Sequence, residues 1–239
     1  MRRYRKTFNP SSTGSMPGRK DMAERFDLIV FDWDGTLMDS AGAIVRSMQA
    51  AARDLGLVEL PDERARYVIG LGLGDALRHA LPDLDEASYP RMVERYRHHY
   101  LSSDHELALF GGVAEMIEAL AARGHMLAVA TGKSRLGLNR ALGHSGLAAY
   151  FHATRCADEC FSKPHPAMLE ELMGELGAAP ERTLMVGDTT HDLKMAKNAR
   201  TAGLAVSFGA HPVAALEAEA PLACVHAPDE LARWLLANA

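Results

Sequence analysis

Short apolar runs recur along the chain, each closed by a polar or turn-forming residue and followed by helical periodicity. Phe26-Asp27-Leu28-Ile29-Val30-Phe31 reads as a buried strand. Leu127 to Ala130 and Thr183 to Val186 repeat the pattern, and shorter runs follow at Leu204 to Val206 and Ala223 to Val225. Between them lie amphipathic segments such as Val113, Met116, Ile117 and Leu120, spaced i, i+3, i+4, i+7, with Gly124 as the stop. A last helix is predicted from about Asp229. Strands alternating with helices predict an α/β fold, a doubly wound parallel sheet covered on both faces. A ligand would then sit at the carboxyl ends of the strands.

One stretch breaks the alternation. From Ser40 to about Leu107 no strand is recognisable, only helical spacing. Ile44, Val45, Met48, Ala52 and Leu55 share one face behind Ser40 as N-cap, and Pro61 and Pro82 punctuate later helices. Residues 91 to 100 are amphipathic around Met92, Val93 and Tyr96. The expected division is therefore a tail at 1–24, a core at 25–39 and 108–239, and an all-helical cap domain inserted at 40–107.

Composition narrows the class. The 239 residues are 48% hydrophobic and carry a formal charge of −5, ordinary values for a globular protein and too apolar for a disordered one. No run approaches the ~20 apolar residues of a membrane span. Three cysteines cannot build a disulfide framework, so the expected setting is a reducing cytoplasm. Six of the 26 basic residues lie within the first 20 positions, with no acid among them, which leaves 20 against 31 in the remainder, a net −11. So acidic a body is a poor nucleic-acid binder. The basic arm reads as a tail containing a linker-like Asn9 to Gly18, and residues 1 to 21 as a stretch that an alternative start at Met22 would remove.

The chemistry gathers where the runs end. Phe31-Asp32-Trp33-Asp34-Gly35-Thr36-Leu37 puts two carboxylates two residues apart at a strand end, able to face one crevice if Gly35 lets the backbone curl. Gly187-Asp188-Thr189-Thr190-His191-Asp192 adds two more at i and i+4. Four carboxylates around one crevice repel unless a cation intervenes, and hard oxygen ligands favour Mg²⁺. Thr131 and Gly132, after the second run, offer a hydroxyl and backbone N–H groups to a phosphate. Ser162-Lys163-Pro164 supplies an ammonium just ahead of a helix, with Pro164 expected at its first position.

This ordered set resembles the haloacid dehalogenase-like phosphohydrolase superfamily, from about Phe26 to the C-terminus, on FDWDGTL at 31–37, TG at 131–132, KP at 163–164 and GDTTHD at 187–192. The nearest subgroup by resemblance is the phosphoglycolate phosphatase-like one, with a Rossmann-like core and a helical cap. The resemblance implies a phosphatase acting on a small phosphorylated metabolite through an aspartyl-phosphate. Asp32 would be the nucleophile and Asp34 the acid and then the base. Mg²⁺ would be held by Asp32, the backbone carbonyl of Asp34, and Asp188, with Asp192 a ligand directly or through water. Thr131, Gly132 and Lys163 would hold the phosphoryl group.

Asp34 argues for phosphoryl transfer over dehalogenation, because a halide leaving group needs no proton. Residues 41 to 110 contain eight arginines and no lysine, which removes the Schiff-base amine of phosphonatase-like enzymes and the cap lysine usual in β-phosphoglucomutases. Hydrolysis is thus favoured, with a mutase and an inactive phosphate-binding module as the alternatives. Gly70 to Gly74 reads as a turn between cap helices, compatible with a loop facing substrate. Arg66 and Arg78, nearest that loop, are the candidates to reach a substrate carboxylate. Asp39 and Ser40 read as helix starters, His191 as a polar helix-start residue, and Trp33 as a packing residue turned away from the acids. Four residues, His152, Cys156, Cys160 and His165, match no common zinc spacing. Oligomeric state and the identity of the substrate are not encoded in any of these motifs.

Overall fold

The structure, a computed structural model, describes residues 25–239. The expectations for the basic arm and the tail at 1–24 therefore fall outside the described residues.

Strand β1 (Leu28–Phe31) is followed by four helices: α1 (Ala41–Asp54), α2 (Asp62–Tyr67), α3 (Leu73–Ala80) and α4 (Tyr89–Ser103). Helix α5 (Val113–Ala122) leads into β2 (Met126–Thr131), then α6 (Arg135–Ser145), β3 (Ala153–Cys156) and α7 (Ala167–Leu176). The chain closes with β4 (Thr183–Gly187), α8 (Thr190–Asn198), β5 (Ala202–Val206), α9 (Val213–Ala218), β6 (Ala223–Val225) and α10 (Pro228–Asn238). All six strands are parallel, in the order β3-β2-β1-β4-β5-β6. This is the doubly wound, Rossmann-like sheet that the alternating pattern predicts.

Strand β1 sits mid-sheet because its residues can be buried on both faces. Ile29 and Phe31 join Leu184 and Val186 of β4 in a cluster beneath α5 and α10. Leu28 and Val30 face the other way with Met185, against α7 and α8. All four β1 side chains are fully buried, each contributing roughly 1.5–3 kcal/mol. That apolar grip fixes the segment carrying Asp32 and Asp34, which must hold charged groups out of water.

The sequence pattern misses β3. Its residues, Ala153-Thr154-Arg155-Cys156, contain no apolar run, because an edge strand has only one neighbour and keeps polar side chains partly exposed. Arg155 uses that exposure to pair with Glu171 and Glu175 of α7, each at 2.7 Å. The lysine–proline segment also differs from expectation. Pro164 does not open a helix: α7 begins at Ala167 with Pro166 as N-cap, and Lys163-Pro164 lies in the preceding loop, joined by a cis peptide bond.

Between β1 and α5 the elements are helices joined by loops, with no strand among the described residues, as the periodicity predicts. Helices α1 to α4 bury two small clusters, one around Ile44, Val45, Met48 and Ile69 that also takes in Ala210 from beyond β5, the other around Leu77 and Met92. No helix among the described residues is long and apolar enough to cross a membrane.

Candidate active site

The carboxyl ends of β1, β2 and β4 converge under the loop that joins α2 to α3. Because β1 pairs in register with both β2 and β4, the residues following Phe31, Val129 and Val186 emerge side by side. Asp32 follows β1, Thr131 ends β2, and Asp188 follows β4. Asp192 comes from the first turn of α8. It is held by a reciprocal capping box in which Thr189 N donates to Asp192 Oδ2 at 3.1 Å and Asp192 N donates to Thr189 Oγ1 at 3.3 Å, and the Thr189 hydroxyl adds a bond to Asp192 Oδ2 at 2.6 Å.

Asp32, Asp188, Asp192 and Lys163 are almost wholly sealed from water. Lys163 Nζ stands 2.9 Å from Asp32 Oδ1 and 2.7 Å from Asp192 Oδ1. Trp33 N donates to the same Asp32 Oδ1 at 2.7 Å, whereas the buried Oδ2 has no hydrogen-bond partner. Asp188 accepts from Thr36 Oγ1 at 2.9 Å and from Ala210 N at 2.7 Å. Its carboxylate passes so close to Gly35 that any side chain there would strike it, and Gly35 holds φ at 79°, a conformation that favours glycine.

The electrostatics follow from burial. Desolvation pushes the Asp32 carboxyl up to about 7, against the pull of Lys163 and with help from the charges of Asp192 and Asp34. Asp188 is raised well above the ordinary carboxylate range by burial first, then by Asp32 and Asp192. Burial alone would lower the pKa of Lys163, but Asp192 and Asp32 outweigh it and hold the ammonium charged. Ionised together, three acids against one lysine would carry an uncompensated negative charge, which the raised carboxyls avoid by holding protons unless a cation replaces them. One carboxylate oxygen from each of Asp32, Asp188 and Asp192 lies within 4.8 Å of the others, a hard-oxygen set that fits a divalent cation. The unpartnered Asp32 Oδ2 is part of that fit.

Asp34 lies outside this cluster. Its Oδ1 accepts from Ser40 Oγ at 2.6 Å and pairs with Lys133 Nζ at 2.9 Å. Lys133 in turn donates to Tyr100 Oη of α4 at 2.8 Å. Sequence reasoning missed Lys133 and Tyr100. Lys133 stands two residues after Thr131, the same spacing as Asp34 after Asp32 on the neighbouring strand, and that parallel was the available signal. Ser40 does precede α1 but makes no side-chain cap bond, its hydroxyl being committed to Asp34.

The helical insert meets this crevice along the α2–α3 loop. Gly132 has no room for a side chain, because the carbonyl oxygens of Gly70 and Leu71 press against it. A methyl group on Gly70 would lie 3.8 Å from Asp32 Oδ2, and Gly72 N donates to Ser162 Oγ at 2.9 Å. The loop expected as a turn is thus also the roof over the predicted nucleophile. His191 and His211 fasten the same side, both lying against the Tyr67 carbonyl through Nε2 at 2.8 and 3.0 Å. His211 Nδ1 accepts from Thr190 N at 3.1 Å, so its Nε2 bears the hydrogen. Burial lowers the pKa of both rings, that of His191 to about 4.

Beside Asp34 opens a cavity of about 870 Å³ whose inner wall includes Met48, Ile69 and Tyr96. Arg97 and Arg140 line its outer part, whereas Arg66 and Arg78 do not line it. Those two, expected to reach a substrate, are instead surface residues within 3.9 Å of Asp62 and 3.6 Å of Asp75. Trp33 packs in the core edge-on to Phe151, turned from the acids as expected.

Known proteins resemble this chain in sequence and fold. The sequence matches the haloacid dehalogenase-like hydrolase family over residues 29–206. The chain belongs to that family. It is 39% identical to a probable phosphatase, IndB, of Dickeya dadantii, over 85% of this chain and 91% of that one. It is 31% identical to a phosphoglycolate phosphatase of Agrobacterium fabrum, over 80% and 85%. Among solved structures, a predicted phosphoglycolate phosphatase from Haemophilus somnus superposes with a TM-score of 0.80 at 26% identity, covering 91% of this chain and all of that one. These relatives identify the protein as a phosphatase of the family, in the phosphoglycolate phosphatase-like subgroup.

Proposed function

We propose that the protein is a Mg²⁺-dependent phosphatase that hydrolyses a small phosphomonoester through an aspartyl-phosphate on Asp32. The buried cluster of Asp32, Asp188, Asp192 and Lys163 at the ends of adjacent strands carries this reading. In it, residues 40–107 act as a cap domain over a core formed by 25–39 and 108–239.

Asp32 attacks phosphorus through a carboxylate oxygen. The ester P–O bond breaks, its electron pair passes to the leaving oxygen, and Asp34 gives that oxygen a proton. Asp34, now a carboxylate, takes a proton from the water that cleaves the acyl phosphate, which releases inorganic phosphate and restores Asp32. Lys163, Thr131 and the backbone at Gly132 hold the phosphoryl oxygens. Asp32, Asp188, Asp192 and the Asp34 carbonyl would hold Mg²⁺, whose charge offsets the repulsion between an anionic nucleophile and an anionic ester.

A phosphate-release screen of phosphorylated metabolites tests the proposal, with 2-phosphoglycolate, sugar phosphates, nucleoside monophosphates and p-nitrophenyl phosphate in the panel. The expected result is release that requires Mg²⁺ and stops with a chelator. Folded protein that released no phosphate from any of them, at several pH values, would overturn the reading.

A further inference from the structure

Asp34 has a second set of partners whose geometry asks for a purpose beyond burial. Two donors converge on its Oδ1: Ser40 Oγ at 2.6 Å and Lys133 Nζ at 2.9 Å. No described residue hydrogen-bonds to its Oδ2. A carboxyl group held this way has its plane fixed and one oxygen occupied, leaving the other to meet an incoming group. Asp34 and Lys133 both line the large cavity, whereas Asp32 does not. The pair therefore stands where the alcohol part of a substrate would leave the phosphoryl site.

Lys133 is itself held from the other side of the crevice. Its ammonium donates to Tyr100 Oη at 2.8 Å and lies 4.9 Å from the centre of the same ring. Tyr100 belongs to α4, in the helical insert, and stacks on Tyr96 of the same helix at 5.8 Å. Burial works against a charged lysine here, yet Asp34 and Tyr100 together hold the ammonium well above its ordinary range. Lys133 and Asp34 belong to the core, and Tyr100 reaches them only when the insert lies against it.

We propose that Lys133 is a positioning residue that sets the orientation of Asp34 for proton transfer to the leaving oxygen, and that Tyr100 makes this orientation depend on the insert being closed. The inference rests on the phosphatase reading above. Lys133 moves no proton itself. The proton passes from the Asp34 carboxyl to the ester oxygen as the P–O bond breaks, and Lys133 and Ser40 fix the oxygen that does not carry it.

A purely structural tie between insert and core would make a different prediction, and two ring-sized substrates separate the two. Phenyl phosphate and p-nitrophenyl phosphate have almost the same shape, but phenoxide is the more basic leaving group and needs the proton more. Tyr100→Phe removes only the hydroxyl, and Lys133→Met removes the ammonium, its charge and its hydrogen bonds to Asp34 and Tyr100, while keeping a side chain of similar length. The expected result is a fall in kcat on phenyl phosphate of ~3–10-fold for Tyr100→Phe and ~10²-fold for Lys133→Met. On p-nitrophenyl phosphate the falls should be at least about fivefold smaller, with KM for both substrates little changed. Equal losses on the two substrates, or losses confined to KM, would show a structural tie and overturn the proposal. So would variants that retain wild-type rates on both. Wild-type protein that released phosphate from neither ester nor any compound of the screen would overturn the phosphatase reading first and this inference with it, an outcome distinct from active wild type with indifferent variants.

Discussion

The two sides of the crevice are built from different materials. The floor is made of strand ends and carries nearly all the charge: Asp32, Asp188, Asp192 and Lys163, each held by neighbours in the core alone. The roof, supplied by the helical insert, touches the floor mainly through backbone and apolar groups: the Gly70 and Leu71 carbonyls, Gly72 N and the Tyr67 carbonyl. Hydroxyl-bearing contacts also reach the strand-end residues, from Ser40, the insert's first residue, to Asp34 and from Tyr100 to Lys133. The lesson is a division of labour. Charges that must be desolvated together are placed on elements locked by the sheet, and the helical surface laid over them brings little charge of its own.

The largest expected effect breaks the floor. Asp32→Asn keeps the side-chain shape and removes the nucleophilic carboxylate. Turnover should fall to background in a phosphate-release assay while circular dichroism shows an unchanged fold. Near-normal turnover would take Asp32 out of the nucleophile's role and leave the floor without its central residue.

The next effect is smaller and concerns the charge balance of the same floor. Without a divalent cation, the folded protein holds a proton on Asp32 up to about pH 7, and on Asp188 above the ordinary range, whereas the unfolded chain releases these protons near 4. The folded state thus binds more protons across this window, so these two groups lose stability as pH rises through it. His191 acts oppositely. Its folded pKa lies near 4 against about 6.5 unfolded, so its contribution grows as pH rises over that interval. The two trends separate on adding Mg²⁺, which competes with protons on the carboxylates and leaves the histidine alone. The rise in melting temperature produced by millimolar Mg²⁺ should therefore increase from pH 5 to pH 8. A shift that stayed constant or shrank over that range would mean that the three acids do not form the cation site.

Much of the floor was legible in the sequence because its residues report directly on strand ends. Asp32, Thr131 and Asp188 each follow a run of apolar residues, and the register of β1 with β2 and β4 brings them together. Asp192 was legible from helical spacing, with Thr189 as its cap. The edge strand β3 was not, since half-exposed Thr154 and Arg155 leave no apolar run to read. The roof was least legible. Tyr100 lies 33 residues from its partner Lys133, and Tyr67 lies 124 and 144 residues from His191 and His211, and such pairs depend on how helices pack rather than on local spacing. Ser40 illustrates the limit well: its place before a helix predicts a cap, but its hydroxyl follows the stronger acceptor, the Asp34 carboxylate.

The smallest expected effect sharpens the roof's side of the comparison. Arg66 and Arg78 flank the loop that covers Asp32, and sequence proximity alone makes them attractive anchors for a substrate carboxylate. Their side chains are 40% and 62% exposed, and their nearest acids, Asp62 and Asp75, lie at 3.9 and 3.6 Å on the same helices. Such solvated pairs contribute roughly 0–1 kcal/mol, and neither arginine lines the cavity. Arg66→Ala and Arg78→Ala should therefore leave kcat/KM for the best substrate of the screen within about twofold of wild type. Arg97 does line the cavity, so Arg97→Ala is the informative partner experiment if that substrate carries an anionic group beyond its phosphate. A tenfold rise in KM for either surface variant would place substrate charge on the outer face of the loop, and the roof would then have to be counted as a charged surface like the floor.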